Sequence, residues 1–277
     1  MRVFELFEDT PFTQTQARVG FNPDPSGRQH RSRFLGGGLY SNVYRSISDP
    51  QQVVKRNIYP SILEKDAYYQ YVRYIFNRIN RNPYLPRVTR VAIKKDVYGA
   101  ERPEYRLERL QKWVKFDPNV IIGIATRVFP PLESIFDRKM ASGEFKHMSS
   151  DEISETVWEF LIAQIKVLAG SIEQHYNQNF HTWARTQTRS GKSDAELHTE
   201  FFTTVYPKIL KTFKSGVTED PELFEALAII AHLQAINPDI ATDFHSHNFM
   251  IRPTPTGPQL VFVDPVQDQG RSQIRSS

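Results

Sequence analysis

Asp243-Phe244-His245-Ser246-His247-Asn248-Phe249-Met250-Ile251, followed after a Pro- and Gly-rich turn by Leu260-Val261-Phe262-Val263-Asp264-Pro265, is the stretch on which the reading of this 277-residue chain depends. The apolar runs Phe249–Ile251 and Leu260–Val263 read as two short strands, with Pro253 to Pro258 (PTPTGP) as the turn between them. A hairpin brings its two ends together, here Asn248 and Asp264. Asp243 lies just upstream, in the order D-x-x-x-x-N. Phosphoryl transfer calls for such a set: one carboxylate takes the proton of the acceptor hydroxyl, while an amide oxygen and a second carboxylate hold Mg²⁺ against the phosphates. Asp243 suits the first role, and Asn248 and Asp264 suit the second. A plainer reading leaves the three as caps of a loop, a turn and a strand end. Another takes Asp243, His245 and His247 as metal ligands of a hydrolase. No further His cluster supports it: His232 lies on the preceding helix, and His30, His147, His175, His181 and His198 are scattered.

Working back from this stretch, residues 220–236 read as a helix with Leu223, Leu227, Ile230 and Leu233 on one face and Asn237-Pro238 as its stop. Ser149 and Glu152 have capping-box spacing, followed by Val157, Leu161, Ile165, Leu168 and Ile172 at helical intervals. Residues 197–213 also read as helical. The polar loop 185–195 carries Thr186, Thr188, Ser190 and Ser193, which are either self-modification sites or plain solvent-facing residues.

The first hundred residues follow a different pattern. Phe34–Leu35, Val43–Ile47 and Val53–Lys55 read as strands. Residues 61–80 read as a helix, with Ser61 and Glu64 at capping-box spacing. Residues 87–97 and 103–110 read as strands around Tyr98-Gly99-Ala100. Sheet plus one helix, then helices, then a hairpin is an α+β order. Between the first two strands lies Gly36-Gly37-Gly38-Leu39-Tyr40-Ser41-Asn42-Val43. Gly36 and Gly38 fit the first two glycines of G-x-G-x-x-G-x-V, Ser41 stands for the third, and Val43 fills the Val position. Such a turn lets backbone N–H groups approach phosphate oxygens; alone, it equally describes a ligand-free hairpin. Lys55 lies on the next strand and can reach phosphates if a carboxylate from the following helix holds it. Glu64 and Asp66 are on offer, and Asp66 is preferred because Glu64 has a capping role.

The composition sets outer bounds. Hydrophobic residues at 39% and charged residues at 24% suit a soluble globular chain. The absence of cysteine excludes disulfides, thiolate nucleophiles and Cys-ligated zinc, and is compatible with a cytoplasmic setting. No apolar run reaches the roughly 18 residues of a membrane span, and acids interrupt MRVFELFEDTPF, so neither membrane nor secretion is expected. Formal net charge is +4. The densest basic stretch, Arg28 to Arg33, reads as a solvated arm adjoining an irregular leader, residues 1–30. Without aromatic interleaving it gives no reason to expect nucleic acid as a partner.

FLGGGLYSNVY (34–44), VVK (53–55), YRLERL (105–110) and DFHSHNFMI…VFVDPV together resemble the protein-kinase-like superfamily, and within it the early-gene serine/threonine kinases of lytic bacteriophages. There an Asp-x-His-x-x-Asn loop and an Asp-Pro pair replace the usual motifs; Asp243, His245 and Asn248 match the first, and Asp264-Pro265 the second. The resemblance implies a two-lobed fold, with residues 31–110 as an N-lobe of antiparallel sheet plus one helix and residues 111–277 as a mainly helical C-lobe. It implies ATP and Mg²⁺. Gly36, Gly37, Gly38 and Ser41 would cover the phosphates, Val43 would pack on adenine, and Lys55, held by Asp66, would grip the phosphates. Glu108 to Leu110 would form the hinge. Asp243 would be the base, and Asn248 and Asp264 the metal ligands. The substrates would be proteins of a bacterial host, in the host cytoplasm. Departures are the absence of His-Arg-Asp, with Ala241-Thr242 preceding Asp243 instead, and Pro265 in place of Phe-Gly. Asp264 lies 13 residues from the last residue, leaving no room for a long activation segment. That fits equally a small-molecule kinase of the aminoglycoside type. A kinase-like binding protein without turnover is the third expectation.

Overall fold

The computed structural model describes residues 34–37, 41–58, 63–77, 82–95, 99–113, 116–187 and 191–268. The chain divides into two units: Met1–Arg81 with Pro86–Lys112, and Asn82–Leu85 with Trp113–Ser277. The first holds an antiparallel sheet, and the second is mainly helical. The leader, residues 1–30, lies outside the described residues.

In unit 1, β1 (Phe34–Gly37), β2 (Ser41–Arg45), β3 (Gln52–Asn57), β4 (Val88–Lys95) and β5 (Glu101–Glu108) form one sheet in the order β1-β2-β3-β5-β4. Alternation decides which residues are inside. Val43 pairs with Lys55, Lys55 with Tyr105 and Tyr105 with Val91, and directly opposed residues share a face. That face carries Val43, Val53, Tyr105 and Leu107, all buried. Helix α1 (Ala67–Asn77) buries Tyr69, Tyr71, Val72 and Ile75, and the Tyr68 ring meets Tyr105 edge-on at 5.2 Å. The helix starts at Ala67 rather than at residue 61. Leu63–Lys65 form a 3₁₀ turn instead, and Asp66 Oδ1 accepts the Tyr69 N–H at 2.8 Å, which satisfies an otherwise orphaned first-turn donor. Ser61 and residues 78–80 lie outside the described residues. Gly99, at φ +80°, supplies the left-handed residue between β4 and β5.

In unit 2, α2 (Pro118–Val128), α3 (Leu132–Ala141), α4 (Ser150–Ala184), α5 (Asp194–Glu200), α6 (Tyr206–Leu210) and α7 (Pro221–Ile236) precede four short strands. The capping box of Ser149 and Glu152 is formed, and Val157, Leu161, Ile165, Leu168 and Ile172 are buried. Asp220 caps α7 by accepting the Glu222 and Leu223 N–H groups, with Pro221 as the first helical residue. Helix α7 is buried on every side from Ala226 to Leu233, beyond the single face expected of it. The expected helix 197–213 is broken into α5, a π-turn at Phe201–Val205, and α6, whose Pro207 has no N–H to extend an α-ladder.

Residues Asn82–Leu85 belong to this unit for clear reasons. Tyr84 donates its hydroxyl to Asp220 at 2.5 Å, and its carbonyl accepts the Phe262 N–H at 2.7 Å. The Arg252 guanidinium donates to the Pro83 and Leu85 carbonyls at 2.7 and 2.8 Å. Among the described residues no helix is long and apolar enough to cross a membrane.

Candidate active site

Two ladders of unit 2 fix the decisive loop. Strands β6 (Ile240–Thr242) and β9 (Val266–Asp268) pair with Thr242 opposite Val266, so Asp243 and Pro265, the next residues inward, stand side by side. Strands β7 (Phe249–Arg252) and β8 (Gln259–Phe262) pair with Phe249 opposite Phe262, so Asn248 meets Val263. Backbone bonds close the junction: Asp243 N–H to Pro265 O at 2.8 Å, Val263 N–H to Asn248 O at 2.8 Å, and Asp264 N–H to the same oxygen at 3.4 Å. Phe244 anchors the loop from below, with ring centroids 6.0 Å from Phe249 and 6.2 Å from Phe262. All three rings are buried.

The polar groups are set by this frame. Asn248 is 3% exposed. Its Nδ2 lies 2.6 Å from the Asp243 carbonyl oxygen. That oxygen can only accept, so the carboxamide must present its nitrogen there. The Asn248 Oδ1 is thereby turned away, and no donor among the described residues reaches it. His245 Nδ1 accepts the His247 N–H at 3.3 Å. Nε2 lies 3.4 Å from Asp243 Oδ1 and 3.2 Å from Asn248 Nδ2. Both ring nitrogens of His245 are used within the loop, and it opens a 3₁₀ turn rather than lying on a strand. The rings of His245 and His247 stand 78° apart, their centroids separated by 5.7 Å. Among the described residues no three His, Asp or Glu side chains converge as a metal site. The Asp243 side chain is 21% exposed, so a substrate can reach it. Asn248 Oδ1 and the half-buried Asp264 carboxylate are hard oxygen donors, the type that suits Mg²⁺.

In unit 1, Lys55 is 5% exposed and sits on the buried face beside Val43. Its Nζ lies 3.3 Å from the centroid of the Tyr68 ring, a cation–π contact. Asp66, also buried, accepts from Tyr69 N–H through Oδ1 and from Asn57 Nδ2 through Oδ2 at 3.0 Å. It is therefore the cap of α1, the role sequence reasoning gave to Glu64. Gly36 and Gly37 lie on β1 and Ser41, buried, opens β2; Gly38, between them, lies outside the described residues. Glu108 ends β5, exchanging bonds with the Arg87 backbone: its N–H donates to Arg87 O at 3.0 Å, and its Oε1 accepts the Arg87 N–H at 2.8 Å. Leu110 is buried.

Sequence reasoning assigned no role to His245 as the partner of Asp243, to Tyr68 under Lys55, or to the Pro265 carbonyl. The His at the third position of D-x-H was the one available signal. The other two depend on a helix facing and a strand pairing that local pattern does not encode.

Compared with known proteins, the chain matches no protein-family model and no curated sequence.

Proposed function

We propose that the chain is an ATP-dependent phosphotransferase with the two-lobed architecture of the protein-kinase-like superfamily, acting on Ser or Thr hydroxyls of bacterial host proteins. One observation carries it: Asp243, Asn248 and Asp264 are drawn into one hydrogen-bonded cluster through Asn248. In protein kinases a catalytic-loop Asp takes the hydroxyl proton, and a loop Asn and a second Asp bind the metal. Unit 1 supports the same reading. Kinases carry the phosphate-holding lysine on their third strand, and Lys55 is on β3.

In the reaction, the acceptor oxygen forms a bond to the γ-phosphorus as the bond to the β–γ bridging oxygen breaks. ADP leaves with that electron pair, and the hydroxyl proton passes to Asp243. Asp243 is aimed by its own backbone bonds to Pro265 and Asn248, with the His245 ring beside its carboxylate. Asn248 Oδ1 and the Asp264 carboxylate would hold magnesium, which would supply charge neutralisation at the phosphates. In unit 1, Gly36, Gly37 and Ser41 would supply phosphate-facing backbone N–H groups, Lys55 a phosphate-holding cation, Val43 an adenine-packing side chain and Glu108 to Leu110 the hinge, the roles the resemblance implies. The choice of a protein acceptor and a cytoplasmic, host-directed role rests on the resemblance to phage kinases.

Calorimetric titration with ATP tests the nucleotide half of this reading. Wild-type protein should bind ATP in magnesium and far more weakly in EDTA, and Asp264→Ala should lose the magnesium dependence. Equal binding by both proteins in both buffers would contradict it.

A further inference from the structure

The outer face of the unit 1 sheet carries an unusual set of charges. One rung there runs Tyr44, Val54, Arg106, Arg90, and the next runs Asn42, Arg56, Glu104, Ala92. A third pairs Arg102 with Lys94. The face thus holds Arg56, Arg90, Lys94, Arg102 and Arg106 against two carboxylates: Glu104, committed to Arg56 at 2.6 Å, and Glu108, which accepts the Arg87 N–H at 2.8 Å. Directly opposed like charges destabilise a sheet, yet Arg90 opposes Arg106 and Lys94 opposes Arg102. Protection of an exposed edge explains cations on β4, the last strand in the order. It does not explain Arg106 on the interior strand β5. The Arg106 Nε is moreover shielded from solvent with no hydrogen-bond partner among the described residues, and a charged donor left so is costly. An anion on this face would relieve the repulsion between the opposed cations.

The other end of the same face is aromatic. Phe34 opposes Tyr44, their rings 5.8 Å apart, and the Arg56 guanidinium stands 5.5 Å from the Tyr44 ring centroid. We propose that this face binds a single-stranded polynucleotide, with phosphates on Arg90, Lys94 and Arg106 and bases stacked on the Tyr44 and Arg56 planes; Arg102, which donates to the Ile58 carbonyl, adds to the charge of the face. Single strands are held by cations that track the backbone together with flat side chains that take the bases. An acidic peptide would use the cations and leave the stacking planes idle. A duplex would need an element that enters a groove, and a flat sheet face offers none. The five cations come from three strands spread over residues 56–106, so no basic run marks them in sequence. The proposal is independent of phosphotransfer.

Fluorescence anisotropy of labelled oligo-dT and oligo-U of about 15 nucleotides, titrated with the full chain, tests it. Wild type should bind, more weakly as salt rises, and the better of the two probes identifies DNA or RNA as the source. Arg90→Glu/Lys94→Glu, at exposed positions, should weaken binding by about tenfold or more. Lys208→Glu/Lys211→Glu, equally exposed in unit 2, should bind as wild type. Equal weakening by both pairs, no binding by wild type, or displacement of the probe by poly-glutamate as readily as by unlabelled oligonucleotide would overturn the proposal.

Discussion

The side-chain amide of Asn248 donates to the backbone carbonyl of Asp243 at 2.6 Å, while the Asn248 backbone carbonyl accepts from Val263 and Asp264. One buried residue therefore ties the start of the loop to the strand end that follows the hairpin. The spacing D-x-x-x-x-N has a structural meaning here, since the turn must bring the Asn side chain back over the Asp carbonyl.

Asn248→Ala removes that tie and one proposed metal ligand together. Leaving the Asp243 carbonyl without its donor should cost about 1–3 kcal/mol of stability, read as a lower urea midpoint. Loss of ordered oxygen ligation should lower transfer about a hundredfold or more. A variant with wild-type midpoint and wild-type transfer would show that neither link matters.

His245 is a positioning residue. His245→Ala should leave ATP affinity unchanged and lower the transfer rate by roughly tenfold to a hundredfold, because the ring that stands beside the Asp243 carboxylate and meets the Asn248 amide is lost. A change in ATP affinity with an unchanged rate would argue for a different role.

Acid should weaken unit 2. The Tyr176 hydroxyl lies between His198 Nδ1 at 3.0 Å and His232 Nδ1 at 3.2 Å, and His175 Nδ1 meets the Tyr206 hydroxyl at 3.1 Å. Burial holds the His175 and His198 imidazoles below their ordinary range, with Asp194 pulling His198 the other way and His181 reinforcing the depression. Below about pH 6.5 the unfolded chain binds protons that the folded cluster refuses, so stability falls as pH drops through that range. Thermal midpoints should decrease from pH 7.5 to 5.5, and less steeply in His175→Gln/His198→Gln. Identical pH slopes in wild type and variant would contradict this account.

What was legible in the sequence was what local periodicity encodes. The hairpin strands around Phe249 and Phe262, the Ser149–Glu152 capping box, the stop at Asn237-Pro238 and the alternation of β2, β3 and β5 all follow from side-chain pattern and capping chemistry. The start of α1 was misread because Ser61 and Glu64 have the spacing of a box, whereas the Asp66 carboxylate reaches the Tyr69 N–H and sets the true cap. Strands β6 and β9, three residues each, are too short to show a period; only their pairing makes them strands. The Asn82–Leu85 segment is held by Asp220, Arg252 and Phe262, more than a hundred residues away in sequence. His175 and His198 read as scattered because different elements carry them, together with His232, to the Tyr176 and Tyr206 hydroxyls.

Transfer of γ-labelled phosphate from ATP, in magnesium and with a bacterial lysate as acceptor, comparing wild type with Asp243→Ala, tests the central claim most directly. Label on serine or threonine of the chain or of lysate proteins, lost in Asp243→Ala while ATP binding is retained, is the predicted result. Equal labelling by wild type and Asp243→Ala, or no transfer by wild type to any protein, would contradict it.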